Sequence, residues 1–97
     1  MHPDKAKVVS VVGNMIRELR LSNNLSIEKL ASITNLEYSQ ISRIERGKIN
    51  TSVYHVYVIL TALNIPPKNF ITITNKHLKT NRSILIKKKK KQIQLTQ

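Results

Sequence analysis

SIEKLASITNLEYSQISRIERG, residues 26–47, reads as two short helices joined by a tight turn. Ser26 stands at an N-cap position, where a hydroxyl accepts an otherwise unpaired backbone N–H. Lys29 rather than an acid follows three residues later, so the capping box is incomplete. Ile27, Leu30 and Ala31 recur at i, i+3, i+4, the spacing of a helix with one buried face. Thr34 and Asn35 stop that helix, since Asn tolerates the left-handed backbone a helix end requires. Leu36 is apolar inside the turn and pins the corner to a core. A second helix is expected from about Glu37 to Arg46, with Gly47 just past its C-cap.

The second helix has a divided surface. At about 100° per residue, Ile41 and Ile44 fall on one side, and Tyr38, Ser39, Ser42, Arg43 and Arg46 on the other. The outward side holds hydrogen-bond donors, two guanidinium groups and no acid. A short helix with such a side, propped by a preceding helix, fits the DNA major groove. An ordinary helical hairpin with a wet polar face has the same pattern, because much of any surface helix is polar. The face alone leaves both readings open.

A wider set of residues carries a resemblance. Gly13 and Ile16-Arg17-Glu18-Leu19-Arg20 precede the pair, Leu25-Ser26 and Leu30-Ala31 mark its first helix, and Ile41-Ser42-Arg43-Ile44-Glu45-Arg46-Gly47 its second. Lys48, Asn50, an apolar helix and Ala62-Leu63 follow. This succession resembles the Cro/repressor-type (Xre-type) helix-turn-helix family over roughly residues 9–71. Three positions depart from the family pattern. Ile27 stands where an amide is usual, Asn35 replaces the turn glycine, and Glu37 replaces a small N-cap. Glu37 is compatible with the positive end of the helix yet puts an anion near phosphates.

The resemblance implies an all-α, five-helix, phage-repressor-like DNA-binding domain, with a basic C-terminal tail beyond it. It implies that Tyr38, Ser39, Gln40 and Arg43 face base edges, with a phosphate contact equally open to Gln40 at the edge of that face and to the Tyr38 hydroxyl, and that Arg17, Ser26, Arg46 and Lys48 grip phosphates. The polarity of the outward face supports these assignments independently, and Arg43 is the best candidate for a bidentate bond to guanine. Arg20 and Glu45 are implied to form a partly buried ion pair that fixes the recognition helix. The partner is double-stranded DNA, and the implied assembly is a homodimer on a palindrome with half-sites about 34 Å apart. The expected role is a sequence-specific transcriptional regulator, a repressor or autoregulator. Three alternatives stand beside it: a protein-interaction module of the same fold, favoured by Ile27 and Glu37; an antitoxin-type regulator paired with a partner protein; and an RNA or membrane-surface binder working through the tail.

Composition bounds the rest. Ninety-seven residues suffice for one compact domain and a tail. Hydrophobic residues make up 40% but aromatics only 4%, so the core must be mainly aliphatic. There is no Cys, and His2, His55 and His77 are scattered, so neither a disulfide framework nor a metal site is expected. With no paired carboxylates, no nucleophile–base arrangement and only two Gly, no enzyme activity, cofactor or small-molecule ligand is expected. No secretory signal or apolar run near 18 residues is present, which predicts a cytoplasmic protein without a membrane partner. The net charge is +12 and uneven. Residues 1–71 hold nine basic and five acidic side chains, and residues 72–97 hold eight basic and none acidic. The charge points to a polyanionic partner, and the shift marks a DNA-binding domain over 5–71 and a Lys-rich extension over 72–97.

Outward from the central stretch, Asp4 is placed to cap a first helix running to Leu21 or Ser22. Its apolar stripe is Val8, Val12, Met15, Ile16 and Leu19. Val9 and Val11 lie outside that stripe and suggest either a broad buried face or a contact with the tail or a second subunit. Gly13 costs roughly 1 kcal/mol against Ala inside a helix, which implies close approach of another backbone. Ser52 or Thr51 caps a fourth helix, Val53 to Leu63, with Val53, Val56, Tyr57, Leu60 and Leu63 along one side and apolar residues nearly all round. Such a helix is buried on every side or meets a partner. A short fifth helix is expected from Pro67 to about Ile71, with Phe70 in the core. Residues 70–74, 82–86 and 92–96 have β-type composition and Lys87–Lys91 is a charge run; the final 26 residues are expected to be disordered in isolation, or else to form a strand or helix that adds to the dimer.

Overall fold

Short polar side chains begin three of the helices. In the computed structural model, which describes residues 4–80, α1 spans Lys5–Ser22, α2 Ile27–Thr34, α3 Tyr38–Glu45, α4 Val53–Ala62 and α5 Pro67–Thr80. Asp4 accepts the Lys7 N–H at 3.3 Å, Ser26 the Lys29 N–H at 3.0 Å and Ser52 the His55 N–H at 3.1 Å. The N-cap of α3 is Glu37, whose side chain makes no capping bond.

The stops are equally local. Asn24, Gly47 and Asn64 have positive φ, at 58°, 68° and 60°. Each sits in a Schellman arrangement, where two N–H groups past the helix return to its last carbonyls. After α3, Gly47 donates to Ile44 at 3.0 Å and Lys48 to Arg43 at 2.8 Å. After α1 and α4, Asn24 and Leu25, and Asn64 and Ile65, repeat the pattern. Asn35 ends α2 at φ 60°, so Asn does in the turn what glycine would do without a side chain.

The core is aliphatic: Met15, Ile16, Leu30, Ile41, Ile44, Ile59, Leu60 and Leu63, plugged by Phe70. Ile27 and Leu36 pack against it, so Ile27 contributes apolar contact where an amide was the family's usual choice. Both glycines of the chain lie where α1 crosses the end of α3. A Cβ on Gly13 would be driven into the Ile44 carbonyl oxygen and would come within 3.1 Å of the Glu45 carbonyl oxygen. A Cβ on Gly47 would reach the Ser10 Cα at 3.0 Å. The two helices therefore meet backbone to backbone, which fixes the height and tilt of α3.

Two expectations are corrected. The fifth helix does not end near Ile71 but continues to Thr80, so the 71/72 division falls inside it, and the β-type reading of residues 70–74 and the disorder expected of residues 72–80 give way. Phe70, Ile73, Thr74 and Leu78 recur at helical spacing. Phe70 and Thr74 are buried, Ile73 packs on the core and Leu78 is half-buried. Packing along that stripe outweighs the strand preference of β-branched residues. The buried side of α4 is Ile59, Leu60 and, just past its end, Leu63, whereas Val53 and Tyr57 of the expected stripe are 86% and 55% exposed. The readings of 82–86, 87–91 and 92–96 lie outside the described residues.

Candidate nucleic-acid interface

Ile41 and Ile44 are sealed in the core, and their burial turns the other side of α3 to solvent. Tyr38 is 54% exposed, and Ser39, Arg43 and Arg46 are exposed with it. Ser42 is half-buried and serves α3 itself, since the Arg46 Nε donates to its carbonyl and hydroxyl oxygens, both at 3.3 Å. That contact folds Arg46 back along the helix and leaves Arg43 as the α3 guanidinium with no hydrogen bond among the described residues. Lys48 is exposed two residues past Arg46, in the Schellman turn. Arg17 is exposed on α1, and Ser26 is exposed while capping α2.

Behind this surface, Arg20 and Glu45 form a buried two-bond pair. Arg20 Nε donates to Glu45 Oε2 at 2.7 Å and Arg20 Nη2 to Glu45 Oε1 at 3.0 Å. The remaining terminal nitrogen, Nη1, donates to the Leu25 carbonyl at 2.7 Å. The pair therefore ties α1 to the end of α3 and to the loop that opens α2. Hydrogen bonding to Glu45 raises the Arg20 pKa further above its ordinary value, and outweighs the desolvation that would lower it. Among the described residues, no buried side-chain nitrogen or oxygen lacks a partner.

Gln40 differs from its neighbours. It is half-buried, and its Nε2 lies 2.8 Å from Nδ1 of His55 on α4. Thr51 Oγ1 is 3.3 Å from the same ring nitrogen. Nothing in the local pattern signals this contact, which joins residues fifteen apart.

A second surface is apolar. Val8, Val9, Val53, Tyr57 and Ile71 line an open groove of about 290 Å³ floored by Ile44, Leu60 and Phe70. Ile71 is 68% exposed and Tyr54 71%. No single described helix is long and apolar enough to cross a membrane. Val53–Ala62 and Pro67–Lys79 meet that test only as a pair bent by 109°. No group of three His, Cys, Asp or Glu suited to a metal occurs among the described residues.

Comparison with known proteins agrees with the geometry. A family model described as helix-turn-helix matches residues 16–70. Control protein C.BamHI of Bacillus amyloliquefaciens is 41% identical over 63 residues, which are 64% of this chain and 78% of that one. The restriction-modification controller protein C.AhdI from Aeromonas hydrophila superposes with a TM-score of 0.62 at 37% identity, over 67% of this chain and 97% of that one. The controller protein C.Esp1396I, solved as a tetramer in complex with its natural 35 base-pair operator, superposes at 0.69 with 28% identity, over 73% and 93%.

Proposed function

The chain belongs to the Xre-type helix-turn-helix family, and from that premise we propose that it is a controller protein of the restriction-modification type. It binds double-stranded operator DNA in a sequence-specific way and regulates transcription from it. It works in the cytoplasm and has no catalytic role. The observation that carries the reading is α3 itself, sealed on its Ile41 and Ile44 side and open on its Tyr38, Ser39 and Arg43 side.

In this reading α3 enters the major groove. Arg43 donates both arms of its guanidinium to the O6 and N7 of a guanine, Ser39 and Gln40 take neighbouring base edges, and the Tyr38 ring lies against a thymine methyl. Arg17, Lys48, Arg46 and the N-terminus of α2 around Ser26 neutralise phosphates and set the register. The Arg20–Glu45 pair and the glycine contacts hold α3 at a fixed height, so these groups arrive together.

One such helix spans too few base pairs for strong discrimination. The apolar groove supplies the remedy: a second copy packed on Val53, Tyr57 and Ile71 removes that surface from water, and a dimer reads two half-sites about one duplex turn apart. Selection from a randomised duplex pool tests the whole reading. The expected product is a two-fold symmetric site with half-sites about 34 Å apart. Recovery of no enriched duplex would favour a protein-interaction module of the same fold.

A further inference from the structure

We propose that His55 is a positioning residue for DNA reading, fixing which end of the Gln40 amide is free to meet a base. The inference rests on the assignment of α3 as the reading helix.

Within the DNA-facing set Tyr38, Ser39, Gln40 and Arg43, Gln40 is the member whose side chain is hydrogen-bonded to another helix among the described residues. Its partner is well anchored, because the His55 backbone N–H donates to the Ser52 cap at 3.1 Å and Thr51 Oγ1 lies 3.3 Å from Nδ1. An amide nitrogen only donates, so Nδ1 accepts and the ring proton sits on Nε2. Nδ1 has one lone pair. Gln40 at 2.8 Å takes it, and the Thr51 hydroxyl is the weaker second donor. Gln40 Oε1 accepts nothing among the described residues and is the free end.

The consequence follows from the torsions of glutamine. Its terminal amide rotates over a broad, two-fold profile, so an untethered Gln offers donor or acceptor to a base with little preference. Rotation here would set Oε1 against the Nδ1 lone pair, and keeping the hydrogen bond would then require the ring proton to move from Nε2 to Nδ1, which could no longer accept from Thr51. Gln40 is thereby held with Oε1 available and one N–H remaining beside it. That ordered pair matches the N6–H donor and N7 acceptor of adenine and mismatches the reversed order. His55 acts on the base without touching it.

The test measures binding of the full chain to the selected operator and to its single base-pair variants. The proteins are wild type, His55→Phe, Gln40→Ala and the double variant, each also melted and titrated with random duplex. His55→Phe keeps a ring and removes Nδ1. It should lower the preference at one base pair per half-site about fivefold, leaving random-duplex affinity unchanged. Gln40→Ala should lose the preference at the same base pair, and His55→Phe should add nothing in that background. His55→Asn, which returns an acceptor oxygen near the place of Nδ1, should restore most of it and serves if the Phe variant melts early. Full preference in folded His55→Phe, an equal further loss in the double variant, or no effect of Gln40→Ala would each overturn the proposal while the DNA-binding reading stands. Failure of the wild type to select any operator would overturn both.

Discussion

α1 meets its neighbours in two opposite ways. Against α3 the contact is closed: both glycines admit backbone to backbone, and Arg20 and Glu45 satisfy each other and the Leu25 carbonyl. Beside α4 and α5 it is open, with Val8 and Val9 bordering a groove whose rim holds Val53, Tyr57 and Ile71 in solvent. The closed contact is completed by the chain's own groups and positions the reading helix. The open one is apolar and unfinished, and in the proposed dimer a second molecule completes it. In the proposed reading, fold stability and DNA reading depend on one face of α1, and assembly on another. Substitutions at the two places should separate these properties.

The largest effect is expected at the ion pair. Glu45→Ala leaves a buried guanidinium with only the Leu25 carbonyl, and removal of one partner of a buried pair costs about 3–5 kcal/mol. Denaturant unfolding should show that loss in full. A change below about 1 kcal/mol would mean that the pair behaves like an exposed one and does not hold α3.

Gly13→Ala comes next. Helix propensity favours Ala by roughly 1 kcal/mol, and overpacking costs about 1–3 kcal/mol or more. The obstacle here is the Ile44 carbonyl, which as backbone cannot rotate away, so overpacking wins. The variant should be less stable and should bind operator more weakly even where folded, because α3 is displaced. A Gly13→Ala protein more stable than wild type would show that the closed contact has slack.

On the open side, Val53→Glu with Tyr57→Glu should do the reverse. Exposed positions usually change stability by no more than about 0.5 kcal/mol, and both are exposed. Dilute protein should melt nearly as before. Sedimentation should show the dimer lost, and operator affinity should fall on the order of tenfold or more as the two half-sites cease to act together. A variant that stays dimeric would move the interface elsewhere on the surface.

The closed contact was legible in part, since the Arg20–Glu45 pair follows from the family resemblance alone and Gly47 signals only a helix stop. Gly13 in mid-helix implied a close neighbour, and Ile41 with Ile44 set which side of α3 faces out. The open side was half legible. Apolar residues all round α4 implied a partner, and Val56, Leu60 and Leu63 of the expected stripe do turn inward, yet Val53 and Tyr57 do not, since periodicity cannot say which of several apolar stripes faces inward. The Gln40–His55 contact was invisible, being a tertiary meeting of two polar residues with no local signature. The same holds for the true length of α5, where Thr72, Ile73 and Thr74 read locally as strand and only contact with α1 makes them helix.

Thr74 shows how that contact is made, and gives the smallest prediction. Its hydroxyl is buried and donates to the Met15 Sδ at 3.3 Å, a weak acceptor. If the polar bond holds α5 on α1, Thr74→Val should cost the roughly 0.5–1.5 kcal/mol of an ordinary hydrogen bond. Replacing a hydroxyl by a methyl of similar shape, however, removes a buried donor along with its bond and leaves sulfur in the apolar surroundings it already suits. The expected change is therefore within about 0.5 kcal/mol of zero, with the α5 backbone amides beyond Ile71 equally protected from hydrogen exchange in both proteins. Loss of protection confined to residues 72–80 would instead make one weak bond responsible for that part of the helix. It would also place α5 with the closed contact, whose polar groups are specific, rather than with the open one, which is shaped by apolar packing.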